Sequence, residues 1–410
     1  MKHSLFVIAS LVFALLVYSG AVKRVERYPY NSLLSLENVK KIEGVIYSVP
    51  TKTSSGRYYK TECALRSAEG FVVEKEIRAS ASGHITVLVP SKIAESMFPG
   101  KLYNSAVYLD VGESIALEGK SRDGIFFAES VKTLGYQGAF GALNAFRASC
   151  RLSLRRLLYS WKEAGGLLLA LVSGCREYLP QRTASSFRSA GISHILALSG
   201  MHLVFISGNL ALIFYSAFGK KYKLVALLVS EILFVWFAGI SPSLFRALLC
   251  SFFSIMSAFC YKKINHRLNF LSFAFLLHAI IFPNHVFEVS FMLSYAACAG
   301  IFAFADIFEK KLFSRLPKFL SSNVSLSLSA QSFTVPVSAL IFHAVVPFSL
   351  VASVVISPVV SVFMLVGLLG IALCLLFPFL SPLFAFFTGV LYKIITTLSL
   401  FFASLPSFCF

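Results

Sequence analysis

The chain has 410 residues, of which 57% are hydrophobic and only 14% charged, with 42 Phe. A soluble domain of that size has no interior large enough for so much apolar surface, so lipid is the expected solvent for most of the chain. The net charge of +18 is unevenly spread. The 8 Cys include no CxxC pair and the 8 His no HxH, HxxxH or HExxH array, which excludes zinc hydrolases and dinuclear nucleases built on those motifs. No cofactor, metal site or enzymatic activity is expected.

In residues 1–23 an apolar run, 4–22, follows Lys2 and predicts a transmembrane helix or signal anchor; the small residues Ser19 and Ala21 keep a cleaved signal peptide open. Residues 24–138 change character. Short alternating runs at Val45–Tyr47, Phe71–Val73, Ile85–Val89, Ser114–Gly119 and Gly124–Phe127 alternate with turn signals such as Ser54-Ser55-Gly56, Pro99-Gly100 and Arg122-Asp123-Gly124. Five or six short strands in this length predict a small β-barrel of the oligonucleotide-binding (OB) type. Residues 139–192 predict a basic, amphipathic helical connector, in which the apolar stretch 165–174 is too short to span a bilayer at about 1.5 Å per residue.

From residue 193 to 410 the chain reads as about eight spans, at 193–217, 224–240, 242–261, 267–283, 286–308, 324–343, 348–377 and 383–405. Alternate loops carry Lys220, Lys221 and Lys223, then Lys262, Lys263 and Arg267, then Lys310, Lys311, Arg315 and Lys318, whereas the loops near Ser241, Pro283 and Pro347 carry no basic residue. The positive-inside rule places the first set in the cytoplasm and the strand-rich domain outside. Lys23, Arg24 and Arg27 count against this orientation, but long domains translocate despite such charges.

The densest polar constellation is Gly191-Ile-Ser-His194-Ile-Leu-Ala-Leu-Ser199-Gly200-Met-His202. On one continuous helix, His194 and His202 would project within about 80° of each other. Ser199 and Gly200 permit close helix approach or a local break, and a hydrogen-bonded packing seam is an equal reading. Arg246 lies four residues past Pro242 in an apolar segment, where an Arg must face the bundle interior or water. Glu288 opens another span from the same side, so an Arg246–Glu288 pair is expected; mid-span Glu231 could meet His202. A Ser199/His202 hydrolase lacks an orienting acid or Lys.

Two basic features could guide a polyanion. Arg147, Arg151 and Arg155 recur every four residues and predict one helical stripe, equally readable as an interfacial helix binding lipid headgroups. Arg57, Tyr58, Tyr59 and Lys60 form an aromatic-basic patch, though residues 24–135 carry 15 basic and 13 acidic residues, too balanced for a basic binding surface.

The order of these motifs resembles the ComEC family of competence proteins over about residues 40–360. Ser193–His202 is similar to that family's SHLLAISGLH run, Gly239–Ala247 to GxSPxxxRA, Glu288–Ala296 to DxGFQLSFxA, and Ala330-Gln331 through Pro336 and Ile356–Val360 to AQxxTxP and AIPxV. The chain departs in carrying Glu288 where Asp is usual, Met292 for Gln and Ser353 for Asn, and it has no HxHxDH run of the metallo-β-lactamase-like domain found in many members.

The resemblance implies a channel subunit of the bacterial inner membrane that passes single-stranded DNA to the cytoplasm during natural transformation, with an external OB-like domain. It implies functional roles for His194, Ser199, Gly200, His202, Arg246, Glu288, Ser294, Gln331 and Pro336, to which the mid-span charge adds Glu231 as a candidate on its own account. Single-stranded DNA, membrane lipid, a separate nuclease, a DNA receptor, a cytoplasmic translocase and a second copy of the chain are the expected partners. A transporter of another solute and a non-transporting membrane module remain the alternatives.

Overall fold

Strand-forming and helix-forming sequence separate cleanly along the chain, and the computed structural model follows that division. It describes residues 5–22, 29–53, 55–72, 75–97, 109–218, 220–259, 267–315 and 317–409. The expected turn at Pro99-Gly100 and the loop charges Lys23, Arg24, Arg27, Lys262 and Lys263 lie outside the described residues. Two compact units emerge: one of residues 26–160 with 175–178, the other of residues 1–25, 161–174 and 179–410.

The first unit is a sheet with a few helices. Its strands are β1 (Asn31–Ser32), β2 (Val39–Ile46), β3 (Thr51–Lys52), β4 (Tyr58–Val72), β5 (Lys75–Ser82), β6 (His84–Pro90), β7 (Glu113–Arg122) and β8 (Ile125–Tyr136). β2 pairs with β4 and β7, β7 with β8, β8 with β6, and β6 with β4, so the pairings return to the strand from which they start. All are antiparallel except β6–β8. Long β4 also carries β5 and β3. The register shifts at Gly44 and again at Gly119, and at both positions a Cβ would overlap a partner-strand carbonyl oxygen, of Ala64 and Phe127 respectively. Glycine at these irregularities is what lets the strands bend and approach.

Period-2 alternation puts Ile42, Ile46, Cys63, Val87, Val89, Ile115, Leu117 and Phe126 into one core. Each large apolar side chain buried there contributes about 1.5–3 kcal/mol. The same burial pushes the Cys63 thiol up to about 12, so it packs as a small neutral hydrophobe. Among the described residues, two α-helices belong to the unit: α2 (Ser91–Met97), and α3 (Gly141–Tyr159), whose Leu152 packs on the core.

The second unit is helical. α1 (Leu5–Tyr18) joins it, as do α4 (Lys162–Ser173), α5 (Gln181–Ser189), α6 (Ser193–Leu196), α7 (Gly200–Phe218), α8 (Lys220–Ala238), α9 (Pro242–Phe259), α10 (Arg267–Ile281), α11 (Val289–Ile307), α12 (Lys318–Phe342), α13 (Ser349–Leu376) and α14 (Ser381–Ala403). A short antiparallel pair, β9 (Ala344–Val345) and β10 (Phe408–Cys409), lies near its end. α6 to α14 fall on the eight predicted segments. Four stretches, Val289–Leu312, Leu320–Phe342, Ser349–Leu376 and Pro378–Ala403, are long and apolar enough to cross a membrane; Val7–Tyr18, Pro242–Ser257 and Leu268–Ile281 are shorter apolar helices. This unit is that of a polytopic membrane protein.

The apolar run 165–174 forms α4, which ends at Gly174 in a left-handed conformation. Every residue from Ala164 to Ser173 is buried, because α4 packs inside the helical unit, where Leu168 fills the space beside Gly367.

Candidate functional site

The predicted span 193–217 is not one helix. α6 ends at Leu196, Ala197 is extended, and α7 begins at Gly200. The break overturns the continuous-helix geometry expected for His194 and His202: His194 is exposed on α6, and His202 is fully buried on α7. Ser199 caps α7, its carbonyl accepting from the Leu203 N–H at 3.3 Å. The Ser199 N–H donates back to His202 Nδ1 at 3.1 Å, and Ser199 Oγ lies 3.0 Å from the same nitrogen. This is the return half of a capping box, with His in the place of Glu. Because Nδ1 accepts, a neutral His202 carries its proton on Nε2, which has no hydrogen-bond partner among the described residues. The spacing S-x-x-H was the signal for this role.

The turn into α9 is equally local in origin. Gly239, at φ +98°, ends α8; the Ser241 hydroxyl accepts from the Leu244 N–H at 3.4 Å; and Pro242 opens the helix. One turn further in, Arg246 reaches α11, where Nε donates to Ser294 Oγ at 2.8 Å and Nη1 to Cys298 Sγ. Ser294 and Cys298 are four residues apart and so share a helix face. Gly200 completes the arrangement, since a Cβ there would lie 3.1 Å from Ala247 Cβ and 3.3 Å from Arg246 Nη2. The structure thus brings Gly200, Arg246 and Ser294 together, at the junction of α7, α9 and α11.

The expected Arg246–Glu288 pair is not formed. Glu288 is the residue preceding α11, about 9 Å along the helix axis from Ser294. Its side chain is 49% exposed, accepts from Ser290 Oγ at 3.2 Å and lies 4.0 Å from His285 Nε2. Glu231 does not bond to His202 either. It is buried on α8 and accepts at Oε1 from Ser251 of α9 at 2.9 Å, while its Oε2 has no hydrogen-bond partner among the described residues. Gln331 lies half-buried on α12, with Pro336 exposed inside that helix.

Sequence reasoning missed His278, His285 and Tyr295. Buried His278, in the last turn of α10, lies 3.2 Å from the Tyr295 hydroxyl and 3.0 Å from His285 Nδ1. The visible signal was two His seven residues apart across Pro283, at a helix end.

The outer arginine stripe is corrected. Arg147, Arg151 and Arg155 lie on one face of α3, as their spacing requires, but that face is turned inward, at 8%, 1% and 3% exposure. Arg147 Nη2 donates to the Val111 carbonyl at 2.8 Å. Arg151 Nη1 pairs with Asp110 at 3.0 Å, and Arg155 Nη2 with Glu177 at 3.0 Å. Arg151 and Arg155 both donate to Cys175 Sγ, each at 3.0 Å. Three aligned cations fit an interior position because acids and a carbonyl from elsewhere in the unit meet them. They are available neither to lipid headgroups nor as a surface funnel. Burial pushes the Glu177 carboxyl up, against the opposing pull of Arg155. Beside the cluster, burial and neighbouring Asp110 raise Glu113 to about 7, a hydrogen bond from the Asp110 N–H opposing them.

Strand alternation also splits the aromatic-basic patch. Arg57 and Lys60 are exposed and Tyr58 is half-buried, edge-on to Phe127 at 6.0 Å, but Tyr59 points into the core. Tyr59 offers no free face for a base.

A family model described as Competence protein matches residues 171–410, which takes in α5 to α14 and every one of the clustered membrane residues. The chain belongs to the competence protein family. Among curated proteins it is similar to ComE operon protein 3 of Bacillus subtilis (strain 168), at 25% identity over 199 residues. That match covers 47% of the chain and 25% of the relative, so the chain aligns with about a quarter of that protein's length. No solved structure matches the chain.

Proposed function

We propose that the chain is a conduit, not an enzyme, that passes single-stranded DNA across the bacterial inner membrane during natural transformation. The observation that carries this reading is the coincidence of the competence-family match with the clustered polar side chains of α7, α9 and α11 inside an apolar helical unit. A buried histidine N–H and an arginine without an ion pair among the described residues are costly in an apolar setting and suit a path for polyanionic cargo. The ring of pairings through β2, β4, β6, β8 and β7, with its single parallel contact, supports an OB-like barrel for the sheet unit. The loop charges support eight spans with that barrel on the outer side. With the α3 arginines buried, exposed Arg57 and Lys60, beside half-buried Tyr58, are the better candidates for first contact with DNA. A nuclease, a receptor, a translocase and a second copy of the chain are proposed partners.

The test is transformation frequency in a deletion strain complemented with Arg246→Ala, His202→Ala or Glu288→Ala. Each variant should remain in the membrane and lose DNA uptake. Normal uptake in all three rules out this path. Labelling of a Cys placed at exposed Lys120 with a membrane-impermeant maleimide reports the orientation, and protection in intact cells refutes an external sheet unit.

A further inference from the structure

Four titratable side chains stand in line at the corner between α10 and α11. Glu288, half-exposed at the start of α11, has Oε1 4.0 Å from His285 Nε2. His285 Nδ1 lies 3.0 Å from His278 Nε2, and His278 Nδ1 lies 3.2 Å from the Tyr295 hydroxyl. Three of the four ring nitrogens are therefore hydrogen-bonded, and the fourth, His285 Nε2, faces the Glu288 carboxyl. His278 is fully buried, with Phe245 at 4.8 Å and Phe291 at 4.9 Å edge-on to it, and Phe282 stacks on His285 at 4.8 Å. A cavity of about 70 Å³ behind the corner is lined by Phe13, Val17, Ala279, Pro283 and Val286.

We propose that His278 and His285 form a proton-binding pair that holds a single excess proton, loads it through Glu288, and so sets the charge beside Arg246. The stoichiometry follows from the geometry. Only one hydrogen fits between two nitrogens in hydrogen-bond contact. The neutral pair therefore has one N–H between the rings and one at an end. A third hydrogen fills the remaining end nitrogen and costs no existing bond, because the Tyr295 oxygen can accept as well as donate. A fourth would place two hydrogens between the facing nitrogens and break the pair. In the loading step, the half-exposed Glu288 carboxyl closes from 4.0 Å to hydrogen-bond reach of an unprotonated His285 Nε2 and passes its proton across. The carboxyl O–H bond breaks, an N–H bond forms, and the products are a carboxylate and a cationic imidazole pair.

The surrounding charges make the position consequential. α11 contributes the Glu288 carboxylate, Tyr295 and Cys298; α9 contributes Arg246 and Cys250; α1 meets α10 with Phe13 and brings no charge. Arg246 follows Phe245, whose ring touches His278, and donates to Ser294, the neighbour of Tyr295. A proton on the pair therefore repels the Arg246 guanidinium across a short apolar gap.

The experiment uses the full chain in phosphatidylcholine nanodiscs with ¹⁵N-labelled histidine, titrated by NMR without DNA. His278 and His285 should take up one proton between them in a single shared step. Glu288→Gln should lower the midpoint of that step by about one pH unit, a tenfold loss of proton affinity. Tyr295→Phe leaves both rings in place and should keep the count at one, so the claim stays testable if the Glu288 variant fails to fold. Uptake of two protons in independent steps, or a midpoint indifferent to Glu288→Gln, overturns the proposal. Neither outcome depends on whether the chain carries DNA.

Discussion

Removing Asp110 should unfasten the sheet unit. Its carboxylate is fully buried and accepts from Arg151 Nη1 at 3.0 Å, and Arg151 is itself only 1% exposed. Asp110→Ala strands that guanidinium with the Cys175 sulfur as its remaining hydrogen-bond partner among the described residues. Breaking a buried pair from one side costs about 3–5 kcal/mol, because the remaining charge stays desolvated. Hydrogen exchange on the full chain in detergent reads this directly, with peptides from β7 and α3 as reporters. At about 1.4 kcal/mol per decade, their protection should fall by roughly two to four orders of magnitude, while peptides from α13 and α14 keep theirs. The double variant Asp110→Leu/Arg151→Met, apolar and of similar length, should recover most of the loss. Protection within threefold of wild type in Asp110→Ala, or a double variant worse than the single, refutes the assignment of the stripe as an interior ion-pair cluster.

Three further outcomes follow from the same reasoning. Glu113 binds its proton more tightly folded than unfolded, so its contribution to stability is complete below about pH 4.5 and is lost as pH rises through 7, a span of about 3 kcal/mol; thermal melts against pH should show that decline, and Glu113→Gln should flatten it. Gly200→Ala presses a methyl against Ala247 and the Arg246 guanidinium, so transformation frequency should fall at least tenfold with normal membrane abundance. Gly300→Ala, whose Cβ would overlap the Ser329 carbonyl, should cost about 1–3 kcal/mol by overpacking α11 against α12, read as a lower melting temperature in detergent.

How much of this was legible in the sequence depended on the range of the signal. Period-2 runs and glycine-rich turns located the strands because pleating is local, and apolar length located the membrane helices. The same pattern foretold that Arg147, Arg151 and Arg155 share a face, but not which way the face turns. That was decided by Asp110 and Glu177, 41 and 22 residues from their partners. Tyr59 was grouped with Tyr58 and Lys60 by adjacency, when strand alternation already separated them. The Arg246–Glu288 pair failed for a related reason: equal depth in two spans does not fix azimuth, and Ser294 and Cys298 occupy the face that Arg246 meets. His278 and His285 were passed over because they match no metal-ligand spacing, and only tertiary folding aligns their rings.

The return of residues 175–178 to the sheet unit bears on how the protein can be divided. Cutting after Ser160 is the obvious way to make a soluble fragment, since all eight strands of the sheet unit precede it. Such a fragment would leave behind Cys175 and Glu177, and with them hydrogen bonds that hold Arg151 and Arg155. Extending the fragment to Tyr178 restores them but carries along α4, ten of whose twelve residues are buried in the helical unit and would face water. A well-behaved fragment needs residues 26–160 joined to 175–178 through a short polar linker in place of α4. Chimeras exchanging the sheet unit between relatives must transplant both pieces together.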